Sequence, residues 1–409
     1  MKFFVPDWDD RVDPGYDFAS DRFSLVRDPY ADDRYAHEML VEPGYDGILL
    51  SRMALGESGP KRAAVERFGV RAYLRMPARY ELLGDCGAFG YVAQRDPTFE
   101  TGELLNYYQR LGFDYGVSID HLIYPEFADQ RQYRYDLTLR NAEEFLSRHS
   151  SGGYRFTPIA AIQGWDLYSY VDAAKAVVAM GYEYLAVGGL ARSNTRIVRD
   201  IVGSVRNAIP STTRIHVFGV ARLTMLADFL AMNVTSVDSA APLRQAWLSA
   251  KDNYYAVDST YAAIRIPVTE QERPKSKTLI GRSAAAYTDL VAAEAEALAA
   301  VRTYDHSSSG LDATIDTIMR YDGMLAARLD PSAASRHKEL YRAVLKAKPW
   351  KHCPCEICRA IGIEVIIFRG NNRNRRRGFH NLWTIRQRIL TAQQHGITPT
   401  HFPLPLTFA

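Results

Sequence analysis

Short apolar runs rich in β-branched and aromatic residues recur along the first part of the chain, and stretches with helical spacing separate them. The runs cover residues 47–50, 115–120, 156–163, 184–189, 215–219 and 234–238. Between them, apolar residues return every three or four positions over 169–180 and 195–208, the spacing of amphipathic helices. Strands that alternate with helices predict a parallel sheet with helices packed against it.

The polar residues at the ends of these runs favour a closed barrel. Asp120, Gln163, Gly189 and Asp238 stand at the ends of predicted strands. In a (β/α)8 barrel the carboxyl ends of all strands converge on one mouth, where such proteins carry their functional residues. We therefore predict an α/β fold with a TIM-like (β/α)8 barrel; an open doubly wound sheet is the alternative.

After Asp238 the pattern changes to alanine-rich helix. Helical spacing covers 284–301 and 333–345, with Pro331 and Pro349 as breaks. An apolar strand over 363–368, an arginine-rich run and an amphipathic helix near 382–395 follow. These changes predict three parts, which are the main part of the barrel (1–280), a helical insertion (281–348) and a C-terminal metal-binding subdomain (349–409).

The composition is that of a globular protein with a large core. Hydrophobic residues make up 47% of the 409 positions and charged residues 24%. The net charge of +3 is too small to identify a nucleic-acid-binding protein by itself. The apolar stretch at the start is too short for a secretory signal, and no run reaches the length of a membrane span. We expect a soluble cytoplasmic protein with no membrane partner.

Three of the four cysteines lie within six positions, as Cys353, Cys355 and Cys358. Thiolates at this spacing, with an imidazole downstream, are typical of a structural tetrahedral zinc site. His380 is the preferred fourth ligand because a distant residue ties two segments together. His352 is the alternative, although its position beside Cys353 would require a very small chelate ring. A chance cluster of buried thiols is the remaining interpretation.

Polar signatures at the strand ends are the candidates for chemistry. Asp85 and Phe89 lie in a turn of small residues, which lets a flat ligand approach the backbone and stack on the aromatic ring. Gln163 precedes Gly164, and an amide side chain can bind the edge of a heterocycle. From spacing alone, each carboxylate could equally cap a loop, and the glycine pair 188–189 could be a plain chain reversal.

Taken together and in order, these residues resemble the tRNA-guanine transglycosylase superfamily. The shared motifs are Asp85-Cys86-Gly87-Ala88-Phe89-Gly90, Asp120, Gln163-Gly164, Val187-Gly188-Gly189-Leu190-Ala191, Asp238 with Pro242-Leu243-Arg244, and the cysteine and histidine quartet. The resemblance covers roughly residues 45 to 395, apart from the helical stretch before the cysteines. Two departures are that Gly90 stands where the tRNA enzymes have Gln, and Cys86 where they have Ser.

The resemblance implies a base exchange at an N-glycosidic bond. Asp238 would be the nucleophile that forms a covalent bond to C1′, and Asp85 the general acid and base. The residues expected to bind the base are Phe89, Asp120, Gln163, Gly189 and Leu190. The cofactor implied is a structural Zn²⁺.

The run 369–377, with five arginines in nine positions, looks like the DNA-modifying branch, the DpdA type. This branch exchanges guanine in DNA for a 7-deazaguanine such as 7-cyano-7-deazaguanine, supplied as the free base. The residues expected to contact the nucleic acid are Arg244, Arg369, Arg373, Arg375, Arg376 and Arg377; a solvated loop is the other interpretation of the run. A tRNA substrate and a catalytically silent nucleic-acid-binding subunit are the alternatives. An ATPase helper protein and the oligomeric state stay open.

Overall fold

The computed structural model describes residues 1–56, 59–269, 287–307, 310–325 and 331–394. Eight parallel strands form a closed barrel in chain order, and the first strand pairs with the eighth. The strands are β1 Lys2–Pro6, β2 Gly47–Ser51, β3 Glu81–Asp85, β4 Tyr115–Val117, β5 Thr157–Ile162, β6 Tyr184–Val187, β7 Arg214–Val217 and β8 Ser236–Asp238. The predicted (β/α)8 barrel is confirmed, and the open sheet is wrong.

The interior of the barrel is filled by side chains that alternate along the strands. Its buried cluster consists of Phe4, Leu49, Leu83, Val117, Ile159, Ala161, Tyr184 and Ala186. Residues two apart on a strand face the same side, so each strand that supplies an apolar residue to this cluster can supply a polar one nearer its end. On β8, Ser236 and Asp238 are two residues apart and face the same side of the strand.

The helices of the barrel unit begin where the sequence offers capping side chains. Asp166 Oδ1 accepts a hydrogen bond from the Ser169 backbone N–H over 2.8 Å, and Asn194 Oδ1 accepts one from Ile197 over 3.0 Å. The α-helices here are Arg52–Leu55, Pro60–Phe68, Val70–Tyr73, Thr101–Leu111, Arg131–Gly152, Leu167–Ala179, Thr195–Ala208 and Leu226–Ala231. Short 3-10 helices cover Ala88–Tyr91, Pro125–Gln130 and Leu223–Met225.

Contacts divide the chain into two compact units. The first holds Met1–Trp8, Tyr45–Ala240 and Arg388–Ala409, and the second holds Asp9–Gly44 and Ala241–Gln387. The predicted boundary between 280 and 281 lies outside the described residues, and the three-part division stays a prediction.

The second unit is mainly helical. Its α-helices are Ala36–Met39, Ala241–Leu248, Tyr287–Ser307, Leu311–Leu325, Pro331–Ala347, Pro349–His352, Glu356–Ile361 and most of Gly370–Gln394. Two small sheets pair β9 Tyr254–Tyr255 with β10 Thr260–Tyr261, and β11 Ile264–Arg265 with β12 Ile367–Phe368. No helix among the described residues has the length and apolar character needed to cross a bilayer.

Two local expectations were wrong, and one strand had not been predicted. The apolar stretch at the start of the chain is barrel strand β1, buried over Phe3 to Val5. The predicted strand over 363–368 is a 3-10 helix, Gly362–Ile366, followed by a strand of two residues. All of the arginine-rich run except Arg369 lies in the helix Gly370–Gln394, which begins well before the predicted helix near 382–395. Residues 284–286 and 395 of the predicted helices lie outside the described ranges.

Candidate active site

The carboxyl ends of the barrel strands bring the predicted catalytic and base-binding residues to one end of the first unit. Asp85 ends β3 and Asp238 ends β8. Gln163 follows β5 directly, and Gly189 follows β6 by two residues. Because all eight strands are parallel in a closed ring, these ends share one mouth.

Asp85 is part-exposed at the end of β3, and its surroundings disfavour its charged form. Burial, together with the charges of Asp120 and Asp238, raises the pKa of the Asp85 carboxyl to about 7. The backbone N–H groups of Cys86 and Gly87 donate to it and oppose that rise. A carboxyl with a pKa near neutrality can both give and take a proton under physiological conditions.

The turn after Asp85 requires glycine at position 87. Gly87 has a φ of 87°, and a Cβ there would lie 2.2 Å from Ser51 Oγ. The glycine therefore allows the backbone N–H of this turn to face the carboxylate.

Asp238 is buried, and its two oxygens have different surroundings. Oδ1 accepts a hydrogen bond from the Gly219 backbone N–H over 2.9 Å and lies 3.1 Å from His216 Nε2. Among the described residues, no group donates to Oδ2. The carboxylate is thus anchored through one oxygen, which leaves the other available to a ligand.

Asp120 links to Gln163 and Cys86. Gln163 Nε2 donates to Asp120 Oδ2 over 2.5 Å, and the Cys86 thiol donates to Asp120 Oδ1 over 3.0 Å. Burial raises the pKa of the Cys86 thiol well above its ordinary value, so the sulfur keeps its proton. Within the part of the chain described, the buried Oε1 of Gln163 has no hydrogen-bond partner. An unpaired buried acceptor is costly unless a ligand supplies a donor.

The glycine pair after β6 makes room for this amide. A Cβ on Gly188 would lie 2.2 Å from Gln163 Nε2, and one on Gly189 would lie 2.7 Å from Gln163 Oε1. Tyr170 donates its hydroxyl hydrogen to the Gly188 carbonyl over 2.9 Å, which holds the turn. Leu190 follows and is buried. The motif 187–191 thus packs its two glycines against the Gln163 side chain.

Phe89 presents an open aromatic face at the mouth, because 60% of its surface is exposed. Its ring centroid lies 6.4 Å from that of Tyr124. At Gly90, where the resembling tRNA enzymes have Gln, an added Cβ would meet the Met53 side chain at 3.0 Å. Met53 thus occupies the space that a longer residue at position 90 would need.

Most of the arginine-rich run does not face solvent, which corrects the expectation for Arg369, Arg373, Arg376 and Arg377. The expectation failed because burial and internal hydrogen bonds use these guanidinium groups inside the second unit. Arg373 binds Glu364 Oε2 over 2.7 Å and Asp21, while Arg369 binds Glu294 Oε1 over 2.6 Å.

The other two buried arginines bind main-chain oxygens. Arg376 donates to the Asp13 carbonyl over 2.8 Å, and Arg377 donates to the Val365 carbonyl over 3.0 Å. Arg375 is part-exposed, although it donates to the Arg11 carbonyl over 2.8 Å. Arg244 is exposed on the helix Ala241–Leu248. Only these last two of the predicted phosphate contacts keep an accessible side chain.

The cysteine and histidine quartet forms a cluster with the shape of a metal site. His380 Nδ1 lies 3.5 Å from Cys353 Sγ and 3.4 Å from each of Cys355 Sγ and Cys358 Sγ. A tetrahedral ion with ordinary Zn–S and Zn–N bonds would separate N and S by about 3.6 Å. The four ligand atoms could hold a metal ion.

The surroundings of His380 orient it for that role. Its Nε2–H donates to the Tyr255 carbonyl over 2.6 Å, and the Tyr254 ring stacks on the imidazole at 4.2 Å. The bond from Nε2 leaves the Nδ1 lone pair facing the sulfurs, the usual arrangement of a metal-binding histidine. His352, the alternative ligand, is exposed and is not part of the cluster.

Sequence reasoning missed three residues of the site. His216 contacts Asp238, Tyr91 donates to the Asp120 carbonyl over 2.7 Å, and Phe218 packs on the His216 ring at 4.7 Å. A signal for His216 was present, because a histidine inside an apolar strand must have a buried polar partner.

Comparison of the sequence with known proteins identifies the family of this chain. The family model described as queuine tRNA-ribosyltransferase matches residues 93–276. A DNA-guanine transglycosylase of Salmonella montevideo is 34% identical over 409 aligned residues, covering 95% of this chain and 96% of that protein. The chain belongs to the tRNA-guanine transglycosylase family.

Archaeal family members match over shorter stretches. The tRNA-guanine(15) transglycosylase of Pyrococcus abyssi is 27% identical, covering 53% of this chain and 38% of that protein. The one from Methanocaldococcus jannaschii is 23% identical, covering 43% and 27%. The near full-length likeness fits the DNA-modifying branch of the family, and the chain is accordingly an enzyme of the pentosyltransferase class.

Proposed function

We propose that this enzyme exchanges guanine in DNA for a 7-deazaguanine base, such as 7-cyano-7-deazaguanine, through a covalent aspartyl-deoxyribose intermediate. The observation that carries the proposal is the pairing of two unlike carboxyl groups at the barrel mouth. Asp238 is anchored through Oδ1 and has Oδ2 available, while burial and neighbouring charges raise the pKa of Asp85 to about 7. One group suits a nucleophile and the other an acid and base.

The reaction then has two balanced displacements. In the first, Asp238 Oδ2 forms a bond to C1′ as the bond from C1′ to guanine N9 breaks. Guanine leaves with the electron pair and takes a proton from Asp85. In the second, the ionised Asp85 removes the N9 proton of the incoming base, N9 attacks C1′, and the bond to Asp238 breaks. Two inversions at C1′ give net retention.

The base would be recognised by the network around Asp120. The unpaired Oε1 of Gln163 is an acceptor for an N–H of the purine edge, and Asp120 can accept a second. Backbone groups at Gly189 and Leu190 would bind the same edge, and Phe89 would stack on the extruded base. A base inside a duplex is inaccessible, so the enzyme must flip it out or act on unpaired DNA, at a cost of about a few kcal/mol.

The extent of the relatives favours DNA over tRNA as substrate. The protein from Salmonella montevideo named for DNA matches along nearly the full length of both chains. The archaeal proteins named for tRNA match over only 27% and 38% of their own lengths. Accessible arginines that could contact the DNA backbone are Arg244 and Arg375.

We assign the metal as a structural Zn²⁺ held by Cys353, Cys355, Cys358 and His380. Three thiolates and an imidazole suit zinc, and a closed shell of four protein ligands leaves no position for a substrate. The ion would stabilise the fold of its segment, and the chemistry would stay with the carboxylates.

A base-release assay tests the proposal. The protein is incubated with 7-cyano-7-deazaguanine and either DNA or tRNA carrying labelled guanine. We expect label release from DNA, and loss of release in Asp238→Asn. Release from tRNA alone would establish the runner-up, a tRNA-guanine transglycosylase with the same residues. Unchanged DNA modification in cells that express Asp238→Ala would instead favour a catalytically silent subunit.

A further inference from the structure

A buried row of hydrogen bonds runs from Asp238 into the barrel interior. His216 Nε2 lies 3.1 Å from Asp238 Oδ1, and His216 Nδ1 lies 2.6 Å from Ser236 Oγ. The Ser236 hydroxyl in turn lies 2.6 Å from the Tyr184 hydroxyl. Three neighbouring strands, β6, β7 and β8, supply these side chains, and His216 pairs in register with Ser236.

We propose that His216, fixed by Ser236 and Tyr184, is a positioning residue that donates its Nε2–H to Asp238 Oδ1 and holds the carboxylate with Oδ2 free for attack. The proposal rests on the proposed function in one respect, which is the role of Asp238 as nucleophile. It adds a tautomer and a direction of hydrogen bonding that the family motifs do not specify.

The direction follows from giving every hydroxyl hydrogen an acceptor. Burial raises the pKa of the Tyr184 phenol to about 12, so Tyr184 keeps its proton. Among the described residues its hydroxyl has one hydrogen-bond partner, Ser236 Oγ, and it therefore donates there. Ser236 must then donate onward to His216 Nδ1. An imidazole that accepts at Nδ1 carries its hydrogen on Nε2, where Asp238 lies.

The opposite direction of hydrogen bonding leaves an unsatisfied group both at Tyr184 and at Asp238. If His216 carried its hydrogen on Nδ1, Ser236 would donate to Tyr184, and the Tyr184 hydrogen would have no acceptor in the described part of the chain. The bare Nε2 lone pair would then face a carboxylate oxygen that also accepts from Gly219. Two acceptors in contact repel unless one is protonated, so this arrangement would require a neutral Asp238, which is a poor nucleophile.

The surroundings keep the imidazole in place. His216 is fully buried, with the Phe218 ring at 4.7 Å and the Phe4 ring at 6.2 Å, both at steep angles to it. Packing on these faces restricts ring rotation, and the two hydrogen bonds fix the remaining freedom. A buried donor of this kind needs no reorganisation when the nucleophile acts.

Kinetics on the full-length protein test the role. His216→Leu removes the donor, and we expect kcat to fall by roughly 10- to 100-fold, the range for losing one hydrogen bond to a charged group, with KM for the free base unchanged. His216→Gln can still donate, so it should recover part of kcat. Tyr115→Phe is the matched control, because that barrel tyrosine binds Glu81 and Lys2 instead and should leave kcat unchanged.

Nitrogen-15 NMR of histidine-labelled protein provides a second readout, which does not depend on activity. The His216 signals, identified by their loss in His216→Gln, should show a protonated Nε2 and a bare Nδ1. Ser236→Ala removes the bond that selects this tautomer and should shift the signals towards the Nδ1–H form.

The outcomes separate this proposal from the proposed function. If the wild type exchanges bases and His216→Leu keeps kcat within about threefold, the positioning role is overturned. A wild-type Nδ1–H tautomer overturns it as well. If the wild type releases guanine from neither nucleic acid, the proposed function fails, and an Nε2–H tautomer that depends on Ser236 would still support the assigned hydrogen-bond direction.

Discussion

Gln163 donates from Nε2 to Asp120 Oδ2 over 2.5 Å, and this bond determines which end of the amide faces a ligand. The Nε2 end binds Asp120, and within the described residues the acceptor Oε1 has no partner and could accept from a ligand. In the proposed function, base recognition would therefore depend on the amide orientation that Asp120 imposes.

Replacing Gln163 should impair base binding more than chemistry. Gln163→Leu removes the unpaired acceptor and the donor to Asp120, and we expect KM for the free base to rise about tenfold, as for loss of a hydrogen bond of one to two kcal/mol. Steady-state kinetics with varied base concentration measure this. Tyr168→Phe, a change at an exposed position, is the control. A large fall in kcat at unchanged KM would contradict the assigned role.

Asp85 predicts a specific dependence of the rate on pH. Its pKa of about 7 means that it is protonated below neutrality and ionised above. The first displacement needs the proton and the second needs the base, so kcat should pass through a maximum near neutral pH. In Asp85→Asn the activity should fall by roughly 10²- to 10⁴-fold. The change of kcat with pH near pH 7 should also disappear. A profile unchanged in this variant would contradict the assignment.

The same shift predicts an effect on stability. The folded pKa of Asp85 is raised, so folding favours its neutral form, and the resulting penalty grows from about pH 4 to about pH 7 and is constant above. Asp85→Asn, which stays neutral, should therefore be more stable than the wild type at pH 8, by roughly 1–3 kcal/mol. The difference should vanish near pH 4. Denaturation at the two pH values measures it, and a variant less stable at pH 8 would contradict the pKa direction.

The buried arginines predict a loss of stability rather than of DNA affinity. Arg373→Met removes one of the two arginines that pair with each of Asp21 and Glu364, which keep Arg369 and Arg302 as partners. It also removes the donor to the Phe18 carbonyl, and we expect a cost of about 1–3 kcal/mol. The matched change Arg375→Gln, at a part-exposed position, should cost less than about 1 kcal/mol. Chemical denaturation compares the two. If Arg373→Met folds normally and instead reduces the salt dependence of DNA binding, the arginine would be a phosphate contact after all.

The metal site is tested by elemental analysis of purified protein. We expect about one zinc ion per chain, lost in Cys358→Ser together with a lower Tm, because the ion stabilises its segment. His352→Ala should keep both the zinc and the Tm, since this side chain lies outside the cluster. The reverse result for His352 and His380 would exchange their roles.

Most of the site residues that the sequence predicts stand at the ends of predicted strands. Asp120, Gln163 and Asp238 follow apolar runs, and the parallel barrel brings such ends together whatever the details of packing. The cysteine spacing likewise predicted a local cluster. These features depend on periodicity and short-range geometry, which a sequence displays directly.

Other features depend on tertiary partners that no local pattern shows. A run of arginines is typical of a solvated surface, but Arg373 is buried and pairs with Asp21, which lies far from it in the chain. Strand β1 was not predicted because the short apolar stretch Phe3 to Val5 is identified as a strand only by its pairing with β2 and β8. His216 was not chosen because its partners, Ser236 and Tyr184, belong to other strands.

The pairing of Phe4 with Asp238 has a consequence for biosynthesis. The two residues are separated by about 230 positions, so ring closure requires one of the most distant contacts of the domain. Until β8 emerges and docks, β1 and β7 remain open edges that could pair with other chains. The strand that completes the ring also carries Asp238, the proposed nucleophile. We therefore expect activity to appear only after β8 has paired with β1.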